Sequence, residues 1–286
     1  MPAVFDEEFR RRLEVLKRLV ARALAGRGGA GRSPLHERGG RVEFADHRPY
    51  APGDELTSID WHAYARLESL VVKEFEAPRD SHLLLVLDRS PSMEPFGKGR
   101  AALRLAAALG WLALAAGARV ACASGGGASR WVAAVERFGD LLDALERLPG
   151  GAGADLPAAL ESAPPHGSGP RTCVLVSDLY EGAPFAQALA ALKRRGADGI
   201  AVQLLAPEEL RPPDGAAARL TDAESGETID VALTPAARER FRREADAFLK
   251  ERAAIAVRHG ARLVRLAPAD DLVQAVERVF LAERAA

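Results

Sequence analysis

Apolar positions near the start of the chain recur every three or four residues. Phe5, Phe9, Leu13, Leu16, Val20 and Leu24 form one stripe, and Arg10, Arg11, Arg12, Lys17, Arg18 and Arg22 fill the other faces. That period predicts an amphipathic helix over 4–25. From residue 82 onward the pattern changes to short, continuous apolar runs separated by helical stretches. The runs 82–88 (HLLLVLD), 119–124 (RVACAS), 171–178 (RTCVLVSD), 199–206 (GIAVQLLA) and 261–267 (ARLVRLA) read as buried strands. Helices are predicted between them over 100–117, 138–148, 156–162, 185–195 and 234–258, with a last one over 270–284. Thr234–Pro235 supplies a cap and a first-turn proline for the long helix, and Gly260 stops it. Residues 130–135 (RWVAAV) are expected to pair back on the strand at 119–124, and 220–233 to form a hairpin around Ser225–Gly226.

Strands alternating with helices imply an α/β, doubly wound, mostly parallel sheet. Ligands on such sheets bind beyond the carboxyl ends of the strands, near the topological switch point. Attention therefore falls on the residues just after Asp88 and Asp178. The stretch before the sheet is less regular. Residues 26–40 are glycine-rich, and 41–44 (RVEF) and 71–77 (VVKEFEA) look like short strands. The chain thus divides into an N-terminal segment, 1–80, and a sheet domain, 81–286.

Composition narrows the function. The 286 residues are 48% hydrophobic and 28% charged, enough to bury a core and stay soluble, which excludes a disordered or fibrous chain. With 39 basic against 40 acidic residues the net charge is −1, so no electrostatic footprint for nucleic acid covers the whole protein. A local excess of Arg over 1–41 leaves a nucleic-acid-binding alternative. Cys122 and Cys173 lie in apolar runs and read as reduced core thiols. The longest apolar stretch, 105–118, falls short of the roughly 20 residues a bilayer span needs. With a charged start in place of a signal peptide, the expected location is the cytoplasm. GRGGAGRS at 26–33 mimics a phosphate loop. Arg32 replaces the lysine, and no strand precedes or helix follows.

The chemistry sits at the strand ends. Asp88-Arg89-Ser90-Pro91-Ser92-Met93 places a carboxylate and two hydroxyls at alternate positions in one loop, and Asp178 leaves a second parallel strand at the same edge. All are oxygen donors of the kind a hard cation such as Mg²⁺ takes. This loop resembles the DxSxS signature of von Willebrand factor A domains, whose metal-ion-dependent adhesion site implies Asp88, Ser90, Ser92 and Asp178 as metal ligands. That family's second loop supplies a Thr. Here the matching stretch is 151–156, with Ala154 at the Thr position and Asp155 beside it. A strand-end phosphotransferase or phosphatase using Asp88 is the enzyme alternative. Such chemistry calls for a second acid nearby, and the residue two positions on is Ser90.

The upstream segment carries Arg41-Val42-Glu43-Phe44, Arg48-Pro49-Tyr50, Pro52-Gly53-Asp54, Ile59-Asp60-Trp61, Ala65-Arg66 and Val72-Lys73-Glu74-Phe75 in order. Together with the aspartate loop it resembles the bacterial domain of unknown function 58 family, which joins this segment to a von Willebrand A-like domain. The resemblance implies a non-enzymatic interaction module, encoded in many genomes beside MoxR-type AAA+ ATPases and hence a partner or adaptor of one. Asp54, Asp60, Trp61, Arg66 and Asp155 are then either partner-binding or structural.

Overall fold

The computed structural model describes residues 4–25, 43–49, 71–76, 81–150, 155–165 and 171–281. Helix α1 spans Glu7–Ala25. Strands β1 (Glu43–Pro49) and β2 (Val71–Glu76) pair as an antiparallel ribbon, with a bulge between Phe44 and Asp46. The main sheet follows: β3 (His82–Leu87), α2 (Lys98–Ala115), β4 (Arg119–Ser124), β5 (Gly127–Ala128), α3 (Phe138–Glu146), α4 (Leu156–Ser162) and β6 (Arg171–Ser177). Next come α5 (Gly182–Arg194), β7 (Asp198–Leu204), the hairpin β8 (Ala217–Thr221) and β9 (Thr228–Ala232), α6 (Pro235–Arg258), β10 (Arg262–Leu266) and α7 (Leu272–Leu281).

The sheet order is β10-β7-β6-β3-β4-β5, parallel except for β5. From β3 the chain winds outward to β4, then returns to the other side of β3 and winds outward through β6, β7 and β10. The direction reverses between β3 and β6, so the switch point lies between the strands that end at Leu87 and Ser177.

The apolar runs still alternate by face. Leu83, Leu85 and Leu87 join one core cluster with α1, α2, α3 and α7, while Val86, Cys173 and Leu175 join the other with α4, α5 and α6. Both cysteines are buried and unbridged, and burial pushes the Cys122 thiol up to about 11. On the first face α2 is buried nearly all round. A Cβ at Gly110 would come 2.4 Å from the Leu141 side chain, so glycine lets α2 and α3 approach closely.

Helix α1 packs on this same face. Phe5, Phe9, Leu13 and Leu16 are buried in the first cluster, each burial worth about 1.5–3 kcal/mol. Asp6 caps the helix by accepting the Phe9 N–H (3.0 Å) and pairs with Arg100 and Arg104 of α2. The Phe9 amide, followed by Arg104 and Arg100, holds its carboxyl below the usual range.

Two local expectations are corrected and one is met in part. Residues 130–135 return to β4 through one antiparallel bridge, in which Val132 and Val120 exchange both N–H···O bonds (2.8 Å each), and the two-residue β5 supplies the rest of the pairing. Trp131 turns away, donating its Nε1–H to the Pro165 carbonyl (2.8 Å) and meeting His82 edge-on. Strand β1 runs through Arg48 and Pro49, beyond the expected 41–44, because the proline closes the strand at its last residue. Helix α2 begins at Lys98 rather than 100, after Phe96 and Gly97 turn the chain through left-handed conformations (φ 58° and 74°).

Candidate functional site

Two adjacent parallel strands deliver the first carboxylates. At the end of β3 the Asp88 N–H bonds the Val176 carbonyl of β6 (2.9 Å), continuing the ladder one residue past the strand. Asp88 is 3% exposed. Its Oδ1 accepts the Ser90 N–H (2.9 Å) and its Oδ2 accepts the Ser177 hydroxyl (2.6 Å). Burial pushes the Asp88 carboxyl above its ordinary range, opposed by the bonds from Ser177 and Ser90 and reinforced by the charge of Asp178. The Ser90 and Ser92 hydroxyls lie 3.0 Å apart, Ser90 buried and Ser92 half-buried at the mouth.

The loop after β6 holds Asp178, 1% exposed. Its Oδ1 accepts the Tyr180 N–H (3.3 Å), and its carbonyl accepts the Gln203 amide (3.3 Å). Oδ2 accepts the Lys98 ammonium at 3.0 Å. Lys98 is fully buried, bonds Glu209 as well, and lies 5.2 Å from the Tyr180 ring centroid. Glu209 in turn accepts the Tyr180 hydroxyl (3.0 Å) and the Ala206 N–H (2.6 Å). A cation at the first residue of a helix opposes the macrodipole, so Asp178 and Glu209 offset both that and the loss of water.

Arg252 of α6 fixes the backbone of this loop. Its Nε bonds the Leu179 carbonyl and its Nη2 the Tyr180 carbonyl, each at 2.6 Å. Leu179 is left-handed (φ 59°), and its N–H bonds the Ser177 hydroxyl (2.9 Å). The guanidinium fits because residue 182 is glycine, where a Cβ would stand 2.7 Å from Arg252 Nη1.

The β8–β9 hairpin reaches the mouth of the site. Glu224 in its turn accepts the Ser92 N–H at 3.0 Å. Asp222 Oδ1 accepts the Glu224 and Ser225 N–H groups, both at 2.8 Å, and Gly226 takes the left-handed position of the turn (φ 73°). Two aromatic side chains are exposed on the segments that follow β3 and β6, Phe96 at 55% and Tyr180 at 44%.

Asp88, Ser90 and Ser92 therefore share one loop, with Asp178 on the neighbouring one. Asp155 caps α4 by accepting the Ala158 N–H (2.9 Å), and its Cβ packs where a Gly125 side chain would go. Asp54, Asp60, Trp61, Arg66 and Ala154 lie outside the described residues. Lys98, Glu209, Glu224 and Arg252 join the site without a motif to announce them.

The adhesion-site chemistry can be tested against these contacts. The paired hydroxyls of Ser90 and Ser92 suit a hard cation. The carboxylates suit it less, because the buried Lys98 ammonium already holds Asp178 Oδ2 and would repel a dication there. Position 154 offers no side-chain oxygen. The donor set as placed does not fit a divalent cation.

The family described as "Protein of unknown function DUF58" matches residues 46–251. An uncharacterised protein of Mycobacterium tuberculosis is 28% identical over 254 residues, covering 85% of this chain and 79% of its own. The uncharacterised protein YeaD of Bacillus subtilis is 42% identical over 65 residues, 23% of this chain and 16% of its own. Among solved structures, an aerotolerance-related membrane protein of Bacteroides fragilis aligns at a TM-score of 0.40 and 16% identity, over 70% of this chain and 96% of its own. The conserved hypothetical protein BatB of Bacteroides thetaiotaomicron aligns at 0.41 and 17%, with the same coverage.

Proposed function

Since the chain belongs to the DUF58 family, we propose that it is a non-enzymatic protein–protein interaction module that partners a MoxR-type AAA+ ATPase in the cytoplasm. The sheet's carboxyl edge is the contact face. One observation carries the reading: exposed aromatics stand on the loops that hold a sealed polar centre. Asp88 with Ser177 and Asp178 with Lys98 are buried bonded pairs, while Phe96 and Tyr180, on the segments that follow β3 and β6, are exposed. Aromatic anchors around fixed polar groups are the usual make-up of interface hot spots. Phe96 also keeps a left-handed backbone that is unfavourable for a residue with a Cβ, a conformation that function rather than stability would retain.

The burial of Asp88, with Ser90 rather than a second acid two positions on, favours this reading over a nucleophilic aspartate. Among the described residues no helix is long and apolar enough to cross a membrane.

A photo-crosslinking phenylalanine analogue placed at position 96 tests the face. A second is placed at Val257, which is exposed near the C-terminal end of α6, by the opposite edge of the sheet. Crosslinking of the purified AAA+ ATPase from 96 and not from 257 is expected. Equal yields from both positions, or none from 96, would reject the proposal.

A further inference from the structure

We propose that the Lys98 ammonium is the resident cation of the strand-edge site, doing for Asp178 what a divalent metal would do in an adhesion site. It concerns the same site as the interaction reading, but it stands on contacts within this chain and holds whichever partner binds.

Two structural observations meet at this residue, and the sequence adds a third. Lys98 is completely buried, with Asp178 Oδ2 at 3.0 Å, Glu209 bonded on another side and the Tyr180 ring 5.2 Å away, so one charge binds both loops and the segment after β7. The lysine is set in place by the backbone, since the left-handed pair Phe96–Gly97 turns the chain so that α2 starts at it. In sequence, the position at which the resemblance implies an adhesion-site Thr is Ala154, which carries no side-chain oxygen.

The physical consequence follows from charge. A dication beside a buried ammonium would meet strong repulsion, because little water screens the two. Asp178 cannot serve both. A tethered cation, unlike a bound metal, does not dissociate on dilution or chelation, so the loops hold their arrangement at any free Mg²⁺ concentration. Partner engagement through this face would then be regulated by something other than metal.

Calorimetric titration of the purified full chain with Mg²⁺, and paramagnetic titration with Mn²⁺, test this directly. Four proteins are compared: wild type, Ala154→Thr, Lys98→Ala, and the variant carrying both changes. Wild type and Ala154→Thr are expected to show no saturable binding at millimolar metal. The double variant should gain binding at least tenfold tighter than either. Stoichiometric Mg²⁺ binding by wild type would overturn the proposal. So would binding by Ala154→Thr alone, which would make the missing hydroxyl and not the lysine the cause. If the Lys98 variants fail to fold, the first two proteins still decide between these outcomes. None of these readouts involves the ATPase, so a failed crosslink at position 96 and a failed titration here are separate results.

Discussion

The Lys98 ammonium sits 3.0 Å from Asp178 Oδ2 with both side chains sealed from solvent, at 0% and 1% exposure. The pair joins the start of α2 to the loop after β6, across the switch point of the sheet. Glu209 completes it from the segment that follows β7. The candidate site is thus built on an internal ion cluster that spans three loops.

Removing one member of a buried cluster leaves the others uncompensated. Lys98→Met should destabilise the protein by about 3–5 kcal/mol. Adding Asp178→Asn to that variant should recover part of the loss. Urea unfolding of the two variants and wild type measures this, and a loss under about 1 kcal/mol for Lys98→Met would mean the lysine is not held as described.

Phe96 gives the opposite sign. Glycine adopts its left-handed backbone without the Cβ clash, so Phe96→Gly should stabilise the fold by about 1 kcal/mol. The same change removes an exposed aromatic ring, and it should weaken partner binding. A variant both more stable and less adhesive, seen in thermal melts and binding assays, is the expected outcome.

Asp88 predicts a pH dependence. Its folded carboxyl is raised by burial, so the native state binds a proton more tightly than the unfolded chain. Stability from this group therefore falls as pH rises from about 4, the ordinary carboxyl value, through the raised folded value. Asp88→Asn has no such titration. The stability difference, variant minus wild type, should grow in the variant's favour between mildly acidic and neutral pH. Urea midpoints that run parallel with pH would contradict the assignment.

Arg252 acts on the loop backbone. Arg252→Met takes charge-assisted donors from the Leu179 and Tyr180 carbonyls and should cost about 2–3 kcal/mol. Hydrogen exchange should rise at the amides of Leu179 and Tyr180 before it rises in β6. Uniform deprotection across the sheet would indicate a general loss of packing instead.

Much of the architecture was legible in the sequence because each parallel strand is a short apolar run closed by a turn. The continuous runs hid which residue faced which helix layer, since both faces are covered. The return of 130–135 to β4 was legible but is confined to Val132, and apolar character alone does not show that Trp131 bonds the Pro165 carbonyl instead. Asp88, Ser90, Ser92 and Asp178 were visible as oxygen donors at strand ends. Their partners were not, because Lys98, Glu209, Glu224 and Arg252 come from elements distant in sequence and reach the site only through the fold. A lysine after Phe-Gly looks like an ordinary surface residue until the left-handed turn buries it.

The most direct test is a titration of the purified full chain with a purified MoxR-type AAA+ ATPase, the proposed partner, comparing wild type with Phe96→Glu by calorimetry. Saturable binding by wild type, weakened at least tenfold by the charge at position 96, is the predicted result. Equal affinity for the two proteins, or no saturable binding by wild type, would contradict an interaction module that works through this face.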